Sequence, residues 1–129
     1  MFVDTSVFVA ILSQEHDADD WTAALEAGGG MTSTLVLLEA VMRLSSKLGV
    51  QPAEAERAVR ALVDEAQIVI VPIGEAELTL AVNAFGSYGK GRGHPAQLNL
   101  ADCLSYACTK ANQTRILYKG NDFAQTDLA

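Results

Sequence analysis

The chain opens on Met1-Phe2-Val3-Asp4-Thr5-Ser6-Val7-Phe8-Val9-Ala10-Ile11-Leu12. The apolar start predicts a short buried strand that ends at Asp4. The hydroxyl of Thr5 or Ser6 then suits the cap of a helix through Val7–Leu12. A strand passing directly into a helix sets a rhythm to look for in the remaining sequence.

The rhythm continues. His16–Asp20 reads as a polar turn whose acids favour the start of a second helix, Ala18–Ala27, which Gly28-Gly29-Gly30 stops. Met31-Thr32 is a brief strand, and Ser33 or Thr34 opens a third helix through Leu48, ended by Gly49. Pro52 fits the first turn of a fourth helix, Ala53–Ala66. Gln67–Ile73 is rich in β-branched residues and predicts a strand buried on both faces. A fifth helix over Glu75–Phe85 is followed by the Gly-rich loop Gly86–Pro95. Asn99 begins a sixth helix through Lys110, Arg115–Tyr118 is a last strand, and Gly120–Asp122 is a turn. Short strands alternating with helices indicate the α/β class, with a parallel sheet covered on both sides. No repeat or linker interrupts the 129 residues, so one domain is expected over 1–129.

Bulk properties narrow the function classes. Half of the residues are hydrophobic and 19% are charged, a globular composition. Apolar runs such as Leu35–Leu38 are far too short to span a bilayer. Met1 leads at once into Phe2-Val3-Asp4, without the basic and apolar regions of a signal peptide, so a cytoplasmic protein is expected. Cys103 and Cys108 point to different sides of a helix and are expected to stay reduced. The net charge of −7 does not suit a protein that binds nucleic acid by phosphate neutralisation alone. Contact with nucleic acid would need a cation among the carboxylates, or a local basic patch.

In a parallel α/β sheet, ligands lie beyond the carboxyl ends of the strands. Asp4 ends the first strand, Asp122 follows the last, and Asp102 lies in the first turn of the helix entering that last strand. All three can therefore face one edge. Carboxylates that cluster without a cation repel one another, which makes such a cluster a metal-site hypothesis.

Each acid also has a purely structural account. Asp4 suits an N-cap, although Thr5 and Ser6 offer the same service. Asn99-Leu100-Ala101-Asp102 has the form of a capping box, and Asp102, Ser105 and Thr109 form a narrow polar strip that lines a pocket or faces water. Glu39 fits an exposed i,i+4 pair with Arg43, and Asp122 fits a turn. The acids at 15, 17, 19 and 20 read as a solvated face, and His16 and His94 lack metal-ligand spacing.

Taken in order, the segments are more specific than any one acid. Met1-Phe2-Val3-Asp4-Thr5-Ser6, Leu37-Leu38-Glu39-Ala40, Asn99 to Ala107, and Leu117-Tyr118-Lys119-Gly120-Asn121-Asp122-Phe123 together resemble a VapC-type PIN-domain toxin, as does Tyr88 to Ala96. The resemblance implies a PIN-like three-layer α/β/α sandwich with a short parallel central sheet. It implies a Mg²⁺-dependent ribonuclease, with Mn²⁺ a plausible substitute. Asp4, Asp102 and Glu39 fall on the family's metal-binding positions, and the fourth acidic role goes to Asp122. Asn121, Thr5 and Ser6 would support these carboxylates from behind. The implied reaction is in-line attack of a metal-activated water on an RNA phosphodiester, the target being tRNA or rRNA, with no covalent intermediate. Lys90, Arg92 and His94 are candidate RNA contacts. The implied partners are a cognate antitoxin and a second copy of the chain.

Other classes remain open at this level. A phosphatase forming an aspartyl-phosphate on Asp4 usually needs a second Asp two residues on, where this chain has Ser6. A phosphate-accepting receiver domain would want an acidic pair after the first strand, which Asp4-Thr5-Ser6 lacks. A PIN-like module that binds RNA or a partner without cutting would keep the same acids.

Overall fold

The computed structural model describes residues 1–129. Four two-residue strands, β1 (Phe2–Val3), β2 (Met31–Thr32), β3 (Val69–Ile70) and β4 (Ile116–Leu117), form one sheet in the order β3-β2-β1-β4, every pair parallel. Six helices complete the α/β/α sandwich: α1 (Thr5–Leu12), α2 (Ala18–Glu26), α3 (Thr34–Leu48), α4 (Pro52–Glu65), α5 (Glu75–Tyr88) and α6 (Leu100–Ala111). No helix is long and apolar enough to cross a membrane.

The order of the strands matters for the site. The chain leaves β1 toward β2 and β3, then returns to place β4 on the other flank of β1. Strand order therefore reverses beside β1, where parallel α/β sheets leave a crevice at their carboxyl ends. The Phe2 N–H donates to Arg115 O at 2.8 Å and the Asp4 N–H to Leu117 O at 3.0 Å, which aligns the ends of β1 and β4.

Capping fixes the helices. Ser33 accepts from the Val36 N–H at 3.2 Å, Gly49 closes α3 at φ 65, and Pro52 occupies the first turn of α4. Two helices are interior ones. Val7, Phe8, Val9 and Ala10 of α1 are all buried, as is Asp102-Cys103 and the run Ser105–Thr109 of α6. A helix buried on nearly every side holds its polar groups in register with the core.

Two expectations need correction. The cap of α1 is Asp4 itself, whose side chain accepts from the Ser6 N–H, while Thr5 and Ser6 belong to the first helical turn. An acid one residue earlier satisfies the free N–H groups and frees both hydroxyls for other partners. The segment Gln67–Ile73 does not make a strand buried on both faces. β3 is an edge strand of two residues, with Val69 62% and Ile70 43% exposed. Only Ile68 of that run is buried in the core.

Candidate active site

Asp4 and Asp102 are buried carboxylates, 6% and 8% exposed. Each is held by its own helix start. Asp4 Oδ2 accepts from the Ser6 N–H at 3.1 Å and from the Ser6 hydroxyl at 2.7 Å. Asp102 Oδ2 accepts from the Asn99 N–H at 3.1 Å, while Asn99 Oδ1 accepts from the Asp102 N–H at 2.9 Å, a reciprocal capping box. The capping account of both acids holds, and it also fixes where their charges sit.

Glu39, half-buried on α3, does not pair with Arg43. The Thr5 hydroxyl donates to its Oε1 at 2.5 Å, tying α1 to α3. Thr5, Ser105 and Thr109 are buried, so the polar strip of α6 lies inside the protein. The Thr109 hydroxyl is satisfied by Ser105 O at 2.8 Å.

These acids share one electrostatic field. Burial pushes the Asp102 carboxyl up to about 7, aided by the negative charges of Asp122, Asp4 and Glu39, against the opposing Asn99 hydrogen bond. Burial also raises Asp4, with Glu39 adding to it and the Ser6 hydrogen bonds opposing it. Four acids, from the junction of β1 and α1, from α3, from α6 and from the turn after β4, thus act on one another electrostatically. Like charges under partial burial call for a cation.

Asp122 is exposed in that turn, and Asn121 contributes its carbonyl to the Ala124 N–H at 3.2 Å. The residue before them, Gly120, has φ 105, which any side chain there would hold only under strain. An acid at position 120 would be strained, and the first acid after it is Asp122. Phe123 buries completely beside it, edge-on to Tyr118 at 5.3 Å.

The donor set consists of carboxylate and hydroxyl oxygens, which suits a hard divalent cation. As the side chains stand, no three His, Cys, Asp or Glu residues form a closed metal cage. The fit is one of chemistry and charge.

The basic loop is less open than its sequence suggests. The Lys90 N–H donates to Leu98 O and the Leu98 N–H to Tyr88 O, both at 2.9 Å, closing its base directly before the α6 cap. Gly89 is required there, because a Cβ would stand 2.3 Å from Phe85 Cδ1 and 2.5 Å from Phe85 O. Lys90 and Arg92 are exposed, with the Arg92 guanidinium 5.6 Å from the Phe85 ring centroid. His94 is used internally: Nδ1 accepts from the Ala96 N–H at 3.0 Å and the ring packs edge-on against Tyr88.

The PIN domain family model matches residues 1–128. This chain is a PIN domain. Its relatives include VapC ribonuclease Mb0625 of Mycobacterium bovis, 40% identical over 98% of this chain and 93% of that protein. VapC ribonuclease R02377 of Rhizobium meliloti is 39% identical over 98% of each chain. Ribonuclease VapC30 of Mycobacterium tuberculosis is 40% identical over 100% of this chain and 96% of its own length. Among solved structures, a toxin–antitoxin complex from Klebsiella pneumoniae superposes with a TM-score of 0.71 at 18% identity, covering 98% and 92% of the two chains. That likeness speaks for the PIN fold.

Sequence reading of this PIN domain missed one group. Glu15 and Asp17 are not a solvated face: both bind the Lys119 ammonium, at 2.5 and 2.9 Å, and Glu15 also binds Lys47 at 2.7 Å. An acidic turn with no nearby lysine was the available signal, since the partner lies more than 100 residues away.

Proposed function

We propose that this chain is a divalent-cation-dependent ribonuclease, the toxin of a type II toxin–antitoxin pair. The observation that carries the reading is the burial of two carboxylates, Asp4 and Asp102, each oriented by hydrogen bonds at a helix start, with the charges of Asp122, Asp4 and Glu39 helping burial to raise Asp102. Such an arrangement is unfavourable by itself and becomes favourable once a cation is bound. The names of the VapC relatives support ribonuclease activity and the toxin role.

Asp4, Asp102 and Glu39 are the residues that would hold Mg²⁺, or Mn²⁺ in its place. When bound, the cation supplies positive charge against the phosphodiester and acidity to water. Ser6 and the Asn99 backbone each occupy one oxygen of Asp4 and Asp102, so these carboxylates enter the site already oriented. Thr5 does the same for Glu39. Asp122, exposed in the turn after β4, adds negative charge without being committed to a protein donor. Lys90 and Arg92 stand on the loop leading into α6, where they suit the phosphate backbone of an RNA strand. His94 is already committed to its own loop.

Two partners follow. A cognate antitoxin is supported by the toxin–antitoxin complex that shares the fold. A homodimer is supported by the exposed apolar side chains Leu38, Met42, Leu78, Val82 and Phe85, which a lone chain leaves in water.

The test is cleavage of tRNA and rRNA by the purified chain, with Mg²⁺, with EDTA, and with Asp4→Asn. Cutting is expected only for the native chain with the cation. Mg²⁺-dependent cutting that survives Asp4→Asn would overturn the assignment.

A further inference from the structure

We propose that Lys119 is a positioning residue for Asp4, acting through Ser6 and held in place by the Glu15–Asp17 pair; the proposal rests on the cation-site reading. Lys119 lies two residues beyond β4 and is fastened at both ends. Its backbone N–H donates to Ser6 Oγ at 2.9 Å. Its ammonium donates to Glu15 Oε1 at 2.5 Å and Asp17 Oδ1 at 2.9 Å. The second oxygen of Glu15 takes Lys47 Nζ from the end of α3 at 2.7 Å. One lysine thus fastens the turn after β4 to the α1–α2 turn, and through Glu15 to α3.

The consequence for Asp4 comes from the single proton of a hydroxyl. Ser6 Oγ accepts from the Lys119 N–H, so its proton is directed away from that side and onto Asp4 Oδ2, 2.7 Å away. Asp4 is then held by two donors on one oxygen. Without the ammonium anchors, the Lys119 backbone is free to leave Ser6, and the hydroxyl loses the contact that sets its direction. The charge of Lys119 is spent on two carboxylates, which argues against a direct role on the RNA phosphate. Consistent with this, the two carboxylates raise Lys119, and it lowers both of them.

The test uses the full chain, with Mn²⁺ affinity measured by titration and stability by thermal melting in EDTA. Lys119→Met keeps an unbranched apolar stem, one atom shorter, and removes the charge; Glu15→Gln weakens the same clamp from the other side. Supporting carboxylates and hydroxyls behind metal ligands typically contribute about 10–100-fold in affinity, and Lys119→Met is expected at about 10-fold. Lys119→Arg should recover most of it. Combined with Ser6→Ala, Lys119→Met should weaken Mn²⁺ binding no further than Ser6→Ala alone, because both act along one path. Native Mn²⁺ affinity in both Lys119→Met and Glu15→Gln, with only the melting temperature lowered, would overturn the proposal, as would additive losses in the double variant. Asp4→Asn separates the two levels. If it binds Mn²⁺ as the native chain does, the cation-site reading itself falls; if it loses binding while Lys119→Met keeps it, only the role of Lys119 falls.

Discussion

The Thr5 hydroxyl donates to Glu39 Oε1 at 2.5 Å across 34 positions of sequence. It is the hydrogen bond by which the first turn of α1 holds an acid in the middle of α3. Thr5 is buried and Glu39 half-buried, so neither group is well served by water once the other is lost. Thr5→Val keeps the shape and removes the donor, and is expected to destabilise the chain by about 1–3 kcal/mol in urea unfolding. Thr5→Ser should restore most of that. Equal stability for Thr5→Val would mean that Glu39 finds another partner.

Asp102 makes the metal-free protein sensitive to pH. Its carboxyl sits at about 7 in the folded chain against an ordinary 3.8. Between those values the folded state binds more protons than the unfolded one, so this contribution is full below about 4 and is lost as pH rises through 7. Asp4 acts in the same direction. Glu15, Asp17 and Asp127 are lowered by their lysine partners, so their contribution is present above the ordinary carboxylate range and lost on acidification. Thermal melting in EDTA should therefore decline from pH 5 to pH 8. Asp102→Asn should flatten that decline, and Mg²⁺ should offset it in the native chain. A flat profile for the native chain would count against the shared field.

Phe123 anchors the turn that carries Asp122. It is fully buried, so Phe123→Ala is expected to cost about 3–5 kcal/mol in unfolding free energy. Phe123→Leu should cost much less and keep RNA cleavage near native. If both variants cut equally well, the turn does not need this anchor.

Both thiols should be silent in the folded chain. Cys103 and Cys108 are free and buried, and burial raises both, Cys108 to about 11. Alkylation followed by mass measurement should find neither modified at neutral pH in native protein and both modified in denaturant.

Much of the architecture was legible because its signals are local. Ser33, Gly49, Pro52 and Asn99 mark helix ends through chemistry confined to a few residues, and the helices begin and end where those residues stand. The fate of Gln67–Ile73 was not local. An apolar run records what a segment could bury, not how many neighbours cover it, and Val69 and Ile70 lie at the sheet edge. The acids behaved in a third way. In sequence, helix capping and a shared acidic field are alternative accounts of an acid, yet Asp4 and Asp102 do both at once. Lys119 was beyond reach because its two carboxylate partners are joined to it only by the completed fold.

The double duty of Asp4 and Asp102 has a genetic consequence. Asparagine is as good an N-cap as aspartate and still accepts the Ser6 N–H, so the start of α1 survives Asp4→Asn while the charge disappears; Asp102, which reaches back to the Asn99 N–H from inside α6, keeps an acceptor oxygen as asparagine. An aspartate codon becomes an asparagine codon by one base change. Under selection against the proposed nuclease activity, the easiest escape is thus a well-folded chain that has lost only a charge. Sequencing survivors of such a selection should return Asn at 4 and 102 ahead of frameshifts wherever a folded chain is also selected.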